Sequence, residues 1–534
     1  MKRKLLTALL CGALMLTSLA GCGQGAENQS GTSAGGESAV KDELVFVNYR
    51  DIRDLNPHLY AGEMYAQSIL YDTLVSNTSE GYVGCLAEDW TISEDGRTYT
   101  FNIRDGVTFS DGTPCDANAI LANFNAILEN RERHTWLEMM NLLVGVSAPD
   151  DDTFVIEMSE PYYPMLTELA CIRPFAMISP NCMIDGSTKD GVNGYIGTGP
   201  YVLTDFVTDE YAVFERNENY WGEKPAIRKI TVKVIPDNQT RIMALENGEI
   251  DLIFGKNMLD ADAISQYVDS DKFTVGLSDP TSTRHIVLNT THDILGDKSV
   301  RQALQHATNR QAISEGIFYG LEPAADTLYS TTVPYCDVDL EPYAYDADEA
   351  ARLLDEAGWT MGSDGVRAKD GQKLALDLLY NSDSVTEKTI SEYLQSEYLK
   401  LGISLNIHGE EEQSYRDNMK AGNFDMVFNI CWGMPYDPQS SLAAMRAPVY
   451  GDYAAQQGLE DKAEIDQAIT DILTSTDETK RQELYTFVLT RLHEDAVYIP
   501  LTFETNKALY TSDLKGVHFG TDQYDVDFAS MYFE

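Results

Sequence analysis

The chain has 534 residues, 43% of them apolar, 23% charged and 10% aromatic, which is the profile of a folded protein and excludes disorder for the bulk of it. That length exceeds one ordinary hydrophobic core and predicts two or three domains. Its 39 Lys and Arg face 85 Asp and Glu, a net charge of −46, which excludes nucleic-acid binding and long-range steering of acidic substrates and leaves room only for a local basic pocket.

Residues 1–22, MKRKLLTALLCGALMLTSLAGC, open with Lys2, Arg3 and Lys4 and continue with an apolar run from Leu5 to Leu16. The run has signal-peptide length and is too short for a comfortable membrane span. It closes on Leu19-Ala20-Gly21-Cys22, which resembles the lipobox of bacterial lipoproteins; a plain secretory signal is the alternative. Cleavage before Cys22 makes that thiol the acylated N-terminus, outside the cytoplasmic membrane, and loss of the three cations takes the charge from −46 to −49. Residues 23–42 are rich in Gly, Ser and Ala and predict a flexible tether. No other apolar run reaches 18 residues. Beyond Cys11 and Cys22, Cys85, Cys115, Cys171, Cys182, Cys336 and Cys431 form no CxxC. Free buried thiols and a Cys171–Cys182 bridge are both compatible with that spacing.

From Glu43 onward short strands alternate with helices. Thr98 to Asp105 alternates as a strand, with turns at Asp95-Gly96, Asp105-Gly106 and Asp111-Gly112. Asp116 or Asn118 starts a helix carrying Ile120, Leu121, Phe124 and Ile127 at helical spacing. Residues 229–235 predict a strand and 239–247 a helix. Val300, Leu304 and Ala307 share one helical face, and Asp346 to Glu349 reads as a capping box for a helix ending before Gly358. Leu374 to Tyr380 is a strand, followed by a helix carrying Ile390, Leu394, Tyr398 and Leu401 and stopped by Gly402, then a strand through Ile403, Leu405 and Ile407. Strand, helix and strand form a βαβ unit with parallel pairing expected. A further strand runs from Asp425 to Cys431. The class is α/β, or mixed α+β, in more than one lobe.

Enzymatic signatures are missing. No Walker A loop, GxGxxG, GxSxG or HExxH occurs, and Gly197-Thr198-Gly199-Pro200 lacks a phosphate-loop lysine. Ser512-x-x-Lys515 is a spacing that chance supplies in long chains. The eight histidines stand singly, without a second His or Cys at zinc-like spacing. The expectation is a tethered extracytoplasmic binding protein, not an enzyme.

Ordered motifs sharpen this. Leu86-Ala87-Glu88-Asp89-Trp90, Ser93 to Phe101, Arg104-Asp105-Gly106-Val107, Gly197 to Tyr201, Arg216 to Gly222 and Gly248-Glu249-Ile250-Asp251 together resemble the peptide/nickel-type solute-binding proteins of ABC importers, family 5. Leu55 to Tyr60, Asn130 to Glu138, Arg173-Pro174-Phe175, Trp432 to Pro438 and Ala455 to Leu459 are most similar to the nickel-binding members. The resemblance implies a two-lobed, periplasmic-binding-protein-like fold of type II, with an extra subdomain inserted in one lobe. Lobe I would comprise 43–76, 200–280 and 500–534, the inserted subdomain 77–199, and lobe II 281–499. The implied function is capture of a chelated transition metal, nickel first, between the lobes and its delivery to the membrane subunits of an ABC permease. The protein would act as a lipid-anchored monomer without a cofactor. Capture of di- or oligopeptides is the alternative.

Residue by residue, the resemblance assigns Arg133 and Arg173 to the carboxylates of the chelator. It assigns Tyr60, Trp136, Trp432 and Tyr436 to an aromatic cage, and Met64 to a cage methionine one residue out of step with Tyr60. The histidine that ligates metal in nickel-type members falls at Tyr450 here, a departure from the pattern. Elementary electrostatics agrees with a chelate. Two guanidiniums repel a bare divalent cation by several kcal/mol each at ~5 Å and an effective dielectric of about 20, whereas they grip carboxylates bidentately. Trp432 and Tyr436 follow a strand at its carboxyl end, where α/β crevices bind ligands. Other roles remain open at this level: Arg173 paired with a structural carboxylate, Trp136 in the core, Tyr450 on the surface, and His58 or His134 replacing the missing histidine.

Overall fold

The computed structural model describes residues 41–534 except 79, 80, 257, 434 and 449. The lipobox Cys22 and nearly all of the tether therefore lie outside the described residues. The last two residues of the expected tether, Lys41 and Asp42, are tied down. The Lys41 ammonium reaches Asp251 at 2.5 Å, and the Asp42 carboxylate pairs with Arg228 at 3.1 Å. Among the described residues no helix is long and apolar enough to cross a membrane.

One ten-stranded sheet runs through the molecule. In chain order its strands are β1 (Glu43–Asn48), β2 (Tyr201–Val207), β3 (Tyr211–Arg216), β4 (Lys229–Val234), β5 (Leu252–Phe254), β6 (Phe273–Leu288), β7 (Ala375–Asn381), β8 (Ser404–Glu410), β9 (Met426–Ile430) and β10 (Tyr498–Thr511). Across the sheet the order is β2-β3-β4-β1-β5-β10-β6-β9-β7-β8. The long antiparallel pair β6 and β10 stands between β2-β3-β4-β1-β5 on one side and β9-β7-β8 on the other. β5 pairs with β10 at Ala508–Tyr510, and β9 pairs with β6 at Arg284–Leu288. Between those stretches the β6–β10 register slips around Leu277, Pro280 and Ser282. Pro280 has no N–H to give a ladder, so the pairing is interrupted there. The segments expected to cross between lobes, 274–289 and 498–505, lie on β6, running one residue beyond its end, and on β10.

The βαβ expectation holds. β7 and β8 pair in parallel from Ala375↔Ser404 to Asn381↔Glu410, bridged by the helix Val385–Lys400, whose Ile390, Leu394 and Tyr398 are fully buried. Gly402, at φ +80°, turns the chain after it, as a left-handed C-terminal glycine should. Asp116 caps the helix Ala117–Glu129 by accepting from the Ala119 N–H. Only half of the capping box at 346–349 forms. Asp346 accepts from the Asp348 and Glu349 N–H groups, but the Glu349 carboxylate turns outward to Arg352.

A separate antiparallel sheet, in the order Ala87–Ile92, Thr98–Ile103, Thr153–Met158 and Leu143–Ser147, packs against the helix Ala117–Glu129 and forms the inserted unit. This unit also touches the far lobe. Tyr163 donates its N–H to the Leu473 carbonyl at 3.1 Å and lies under the Arg481 guanidinium, 3.4 Å from ring centroid to carbon. All six described cysteines are buried and unbonded, so the Cys171–Cys182 bridge does not form.

Candidate functional site

A cavity of about 900 Å³ opens between the lobes, where residues from the ends of β1, β5 and β9 converge. Seven of the eight residues assigned from the sequence line it: Tyr60, Met64, Trp136, Arg173, Trp432, Tyr436 and Tyr450. Arg133 does not. It sits on the short turn Arg131–His134, exposed to solvent, with its charge felt by His134 and the Tyr60 hydroxyl but outside the lining.

Trp432 leaves the carboxyl end of β9, as its position after that strand predicts. A tight turn fixes the backbone beyond it. Gly433 adopts φ +80° and donates its N–H to the buried Asp437 carboxylate at 2.7 Å. A Cβ at Gly433 would lie 2.3 Å from the Gln523 amide, which donates instead to the Trp432 carbonyl at 2.8 Å. Glycine is required there on both counts.

The aromatic side chains form two edge-to-face groups. Trp136 meets Tyr60 at 6.1 Å and Tyr436 at 5.7 Å between centroids, and Trp432 meets Tyr450 at 5.7 Å. These are favourable aromatic geometries. The Trp136 indole donates to the Tyr60 hydroxyl at 2.8 Å, and that hydroxyl shares a 2.6 Å hydrogen bond with His134 Nδ1. Trp136 is 39% exposed, on a turn and not in a helix, which removes the core reading. His58 and His134 are fully buried and outside the lining, so neither stands in for the absent histidine. Burial pushes their imidazoles down, to about 3 and about 4.

Arg173 is the central cation. Its Nη1 donates to the Gly62 carbonyl at 3.1 Å, and the guanidinium lies 5.8 Å from the Tyr60 ring centroid. No carboxylate among the described residues lies within ion-pair distance of it. Burial lowers its pKa, and the nearby phenols of Tyr436 and Tyr60 and the charges of Glu63 and Asp522 oppose that only in part. The structural-carboxylate role is thereby excluded for Arg173.

The lining holds cations that sequence reasoning did not find. Arg50, Arg53, Lys256 and Arg416 join Arg173 there, and Glu63 is the only carboxylate among the described lining residues. A protein of net charge −46 thus turns a basic wall toward its cleft. Arg50 pairs with Glu63, Arg416 with Glu412, and Lys256 with Glu504 at 3.1 Å. No group of three or more His, Cys, Asp or Glu that could hold a metal occurs among the described residues. The arrangement suits an anion with an apolar body, held by guanidinium and aromatic faces.

Comparison with known proteins agrees with this architecture. Residues 81–452 match the family described as bacterial extracellular solute-binding proteins, family 5 Middle. The chain is 41% identical over 92% of its length, and 95% of the relative's, to the nickel-binding periplasmic protein of Escherichia coli (strain K12). It is 26% identical to the dipeptide-binding protein of the same organism, covering 89% of this chain and 91% of that one. Among solved structures, NikA from Brucella suis in complex with Fe(III)-EDTA superposes with a TM-score of 0.89 at 43% identity, covering 92% of this chain and all of that one.

Proposed function

Since the chain belongs to the bacterial extracellular solute-binding proteins, family 5, we propose that it captures a transition metal, nickel first, as an anionic chelate in the interlobe cavity and hands it to an ABC permease. The observation that carries this reading is Arg173, a largely buried guanidinium without a carboxylate partner, set among aromatic rings in that cavity. A bare Ni²⁺ would be repelled there, and a carboxylate-bearing chelate would supply the missing counter-charge. Tyr60, Met64, Trp136, Trp432, Tyr436 and Tyr450 form the walls, and Arg133, outside the lining, acts from solvent as a secondary charge. The nickel-binding name of the 41% relative and the Fe(III)-EDTA bound to the 43% structure support a metal chelate over a peptide.

The proposal includes lobe I at 43–76, 200–280 and 500–534, the inserted subdomain at 77–199, lobe II at 281–499, and a monomer anchored through acylated Cys22. Cys22→Ala is expected to release the protein from the membrane fraction or leave it unprocessed. Unchanged fractionation would refute the anchor. The deciding experiment for the ligand is native mass spectrometry with elemental analysis on protein purified from its own host. A bound mass containing nickel is expected, and a metal-free peptide would overturn the reading.

A further inference from the structure

The cavity wall carries a second cation, Lys256, whose carboxylate partner is shared with another cation. Lys256 follows β5, and its ammonium lies 3.1 Å from Glu504 Oε2 and 3.3 Å from Gln523 Oε1. Glu504 also pairs with Arg284 and accepts from the Ser282 hydroxyl at 2.6 Å. Arg284 lies 3.8 Å from Glu322, and Lys507 lies 3.1 Å from the same carboxylate. Lys256–Glu504–Arg284–Glu322–Lys507 is therefore one ionic chain of three cations and two carboxylates. Glu387 acts on Arg284 from beyond ion-pair distance.

The imbalance cannot be removed by moving a proton. Burial works to push the Glu504 carboxyl up, but Lys256 and Arg284 hold it down at about 2. Burial likewise disfavours the Lys256 ammonium, but the charge and hydrogen bond of Glu504 together with Tyr524 outweigh it, so its pKa is raised. Both ends of the contact stay ionised at neutral pH. An unmatched charge in a partly desolvated site is costly until a counter-ion reaches it. Side-chain exposure shows where one can. Glu504 and Glu322 are 8% and 6% exposed, Arg284 and Lys507 11%, and Lys256 23%. Of the three cations in this ionic network, Lys256 is the one that lines the cavity.

Resting on the chelate reading above, we propose that Lys256 is a second anion-binding position of the cleft, taking a ligand carboxylate that Arg173 does not hold. The site then selects chelates that retain at least two anionic groups after binding their metal. Arg50 and Arg416 are less suited to this role, each holding a carboxylate, Glu63 or Glu412, that no second cation shares, and Arg53 is exposed to solvent. Two contacts extend the consequence beyond the pocket. Gln523, which accepts from Lys256, donates to the Trp432 carbonyl on the other lobe, and Glu504 and Ser282 belong to β10 and β6 where their register slips. An anion seated on Lys256 is thereby joined to both the aromatic wall and the lobe crossing.

The test is calorimetric titration of the whole protein with Ni²⁺–EDTA, a dianion, and with neutral bis-histidine Ni²⁺. Lys256→Met is expected to weaken Ni²⁺–EDTA binding at least ~10-fold, and bis-histidine Ni²⁺ less than about 3-fold. Lys256→Arg is expected to keep most of the Ni²⁺–EDTA affinity. If Lys256→Met does not fold, Lys256→Met with Glu504→Gln removes the contact without leaving a lone carboxylate, and the same selective loss is expected. Equal losses for both chelates, or no loss, would overturn Lys256 as an anion position and leave the chelate reading standing. Wild-type protein that binds neither complex would overturn both.

Discussion

Replacing Arg173 by alanine removes the one buried cation of the cleft without a protein counter-charge. The guanidinium has five N–H donors, and one of them is engaged by the Gly62 carbonyl. Enough remain for the two-pronged grip that arginine makes on a carboxylate. At ~4 Å and an effective dielectric of about 20 the charge interaction is about 4 kcal/mol. Truncating one partner of a desolvated charged pair costs roughly 2–5 kcal/mol of binding. At about 1.4 kcal/mol per decade, Arg173→Ala should weaken binding of an anionic nickel chelate about 30-fold to several thousand-fold. The variant should fold nearly as well as wild type. No acidic side chain is left unpaired by the change, and the loss is one hydrogen bond to Gly62, about 1 kcal/mol. Arg173→Lys should restore only part of the affinity, since an ammonium cannot make the paired contact. Calorimetric titration with Ni²⁺–EDTA and with EDTA alone, alongside urea unfolding, measures both quantities. An Arg173→Ala protein that folds normally and binds like wild type would refute the argument and move the ligand elsewhere.

Tyr450 offers a contrast: Tyr450→Phe should cost less than about 1.5 kcal/mol of chelate binding, the scale of one neutral hydrogen bond. Tyr450→His should strengthen binding of an incompletely chelated metal by adding an imidazole ligand, and equal titrations for the two variants would contradict this. Tyr163 joins the inserted unit to the far lobe under Arg481. Tyr163→Ala should therefore shift the protein toward an open form with a larger radius of gyration in small-angle scattering, reversed by ligand; identical curves would count against it. His58 accounts for a pH effect. Its folded pKa, about 3, lies below the usual histidine value because of burial, so the unfolded chain binds the extra proton first. Stability from this group is full above about pH 6.5 and declines as pH falls toward 3, by up to about 1.4 kcal/mol per pH unit. His58→Asn should flatten that slope in urea denaturation between pH 7.5 and 4.5, and an unaltered slope would exclude His58 as the source.

The local elements were legible because their signals are local. The periodicity of Ile390, Leu394 and Tyr398 and the alternation around them define the βαβ unit without reference to the rest of the chain. Gly197 and Gly199 show the limit of such reading. The sequence says only that they lack a phosphate-loop lysine. The fold shows that a Cβ on Gly197 would lie 1.9 Å from the Leu70 carbonyl and one on Gly199 2.6 Å from the Leu70 carbonyl carbon, so both glycines serve close backbone passage. The aromatic walls and Arg173 were found through family likeness. That likeness also brought in Arg133, which keeps its motif yet lies outside the lining. Arg50, Lys256 and Arg416 carry no motif at all. They come from the end of β1, the end of β5 and the helix Glu412–Ala421, and only the fold brings them to one wall. A lone cation in a chain of 39 gives no sign of its neighbours.

The contrast between exterior and cleft bears on how an anionic ligand enters at all. A net charge of −46 would oppose its approach over long distances. At physiological ionic strength, however, the Debye length is about 8 Å, so a ligand at the cavity mouth responds chiefly to the charges lining it. There the described residues offer five cations against the single carboxylate of Glu63. Selection by charge therefore takes place after encounter, inside the cavity, where screening is weak and a missing partner is costly. Of the partly buried cations, Arg173 has no carboxylate within ion-pair distance, and Lys256 shares Glu504 with Arg284. Trp136 and Tyr436 meet across the cleft over the same space. A ligand that satisfies the cations while presenting an apolar flank to these rings favours closure of the lobes around it. A bare metal ion meets repulsion, and a neutral apolar molecule leaves the cations unmet.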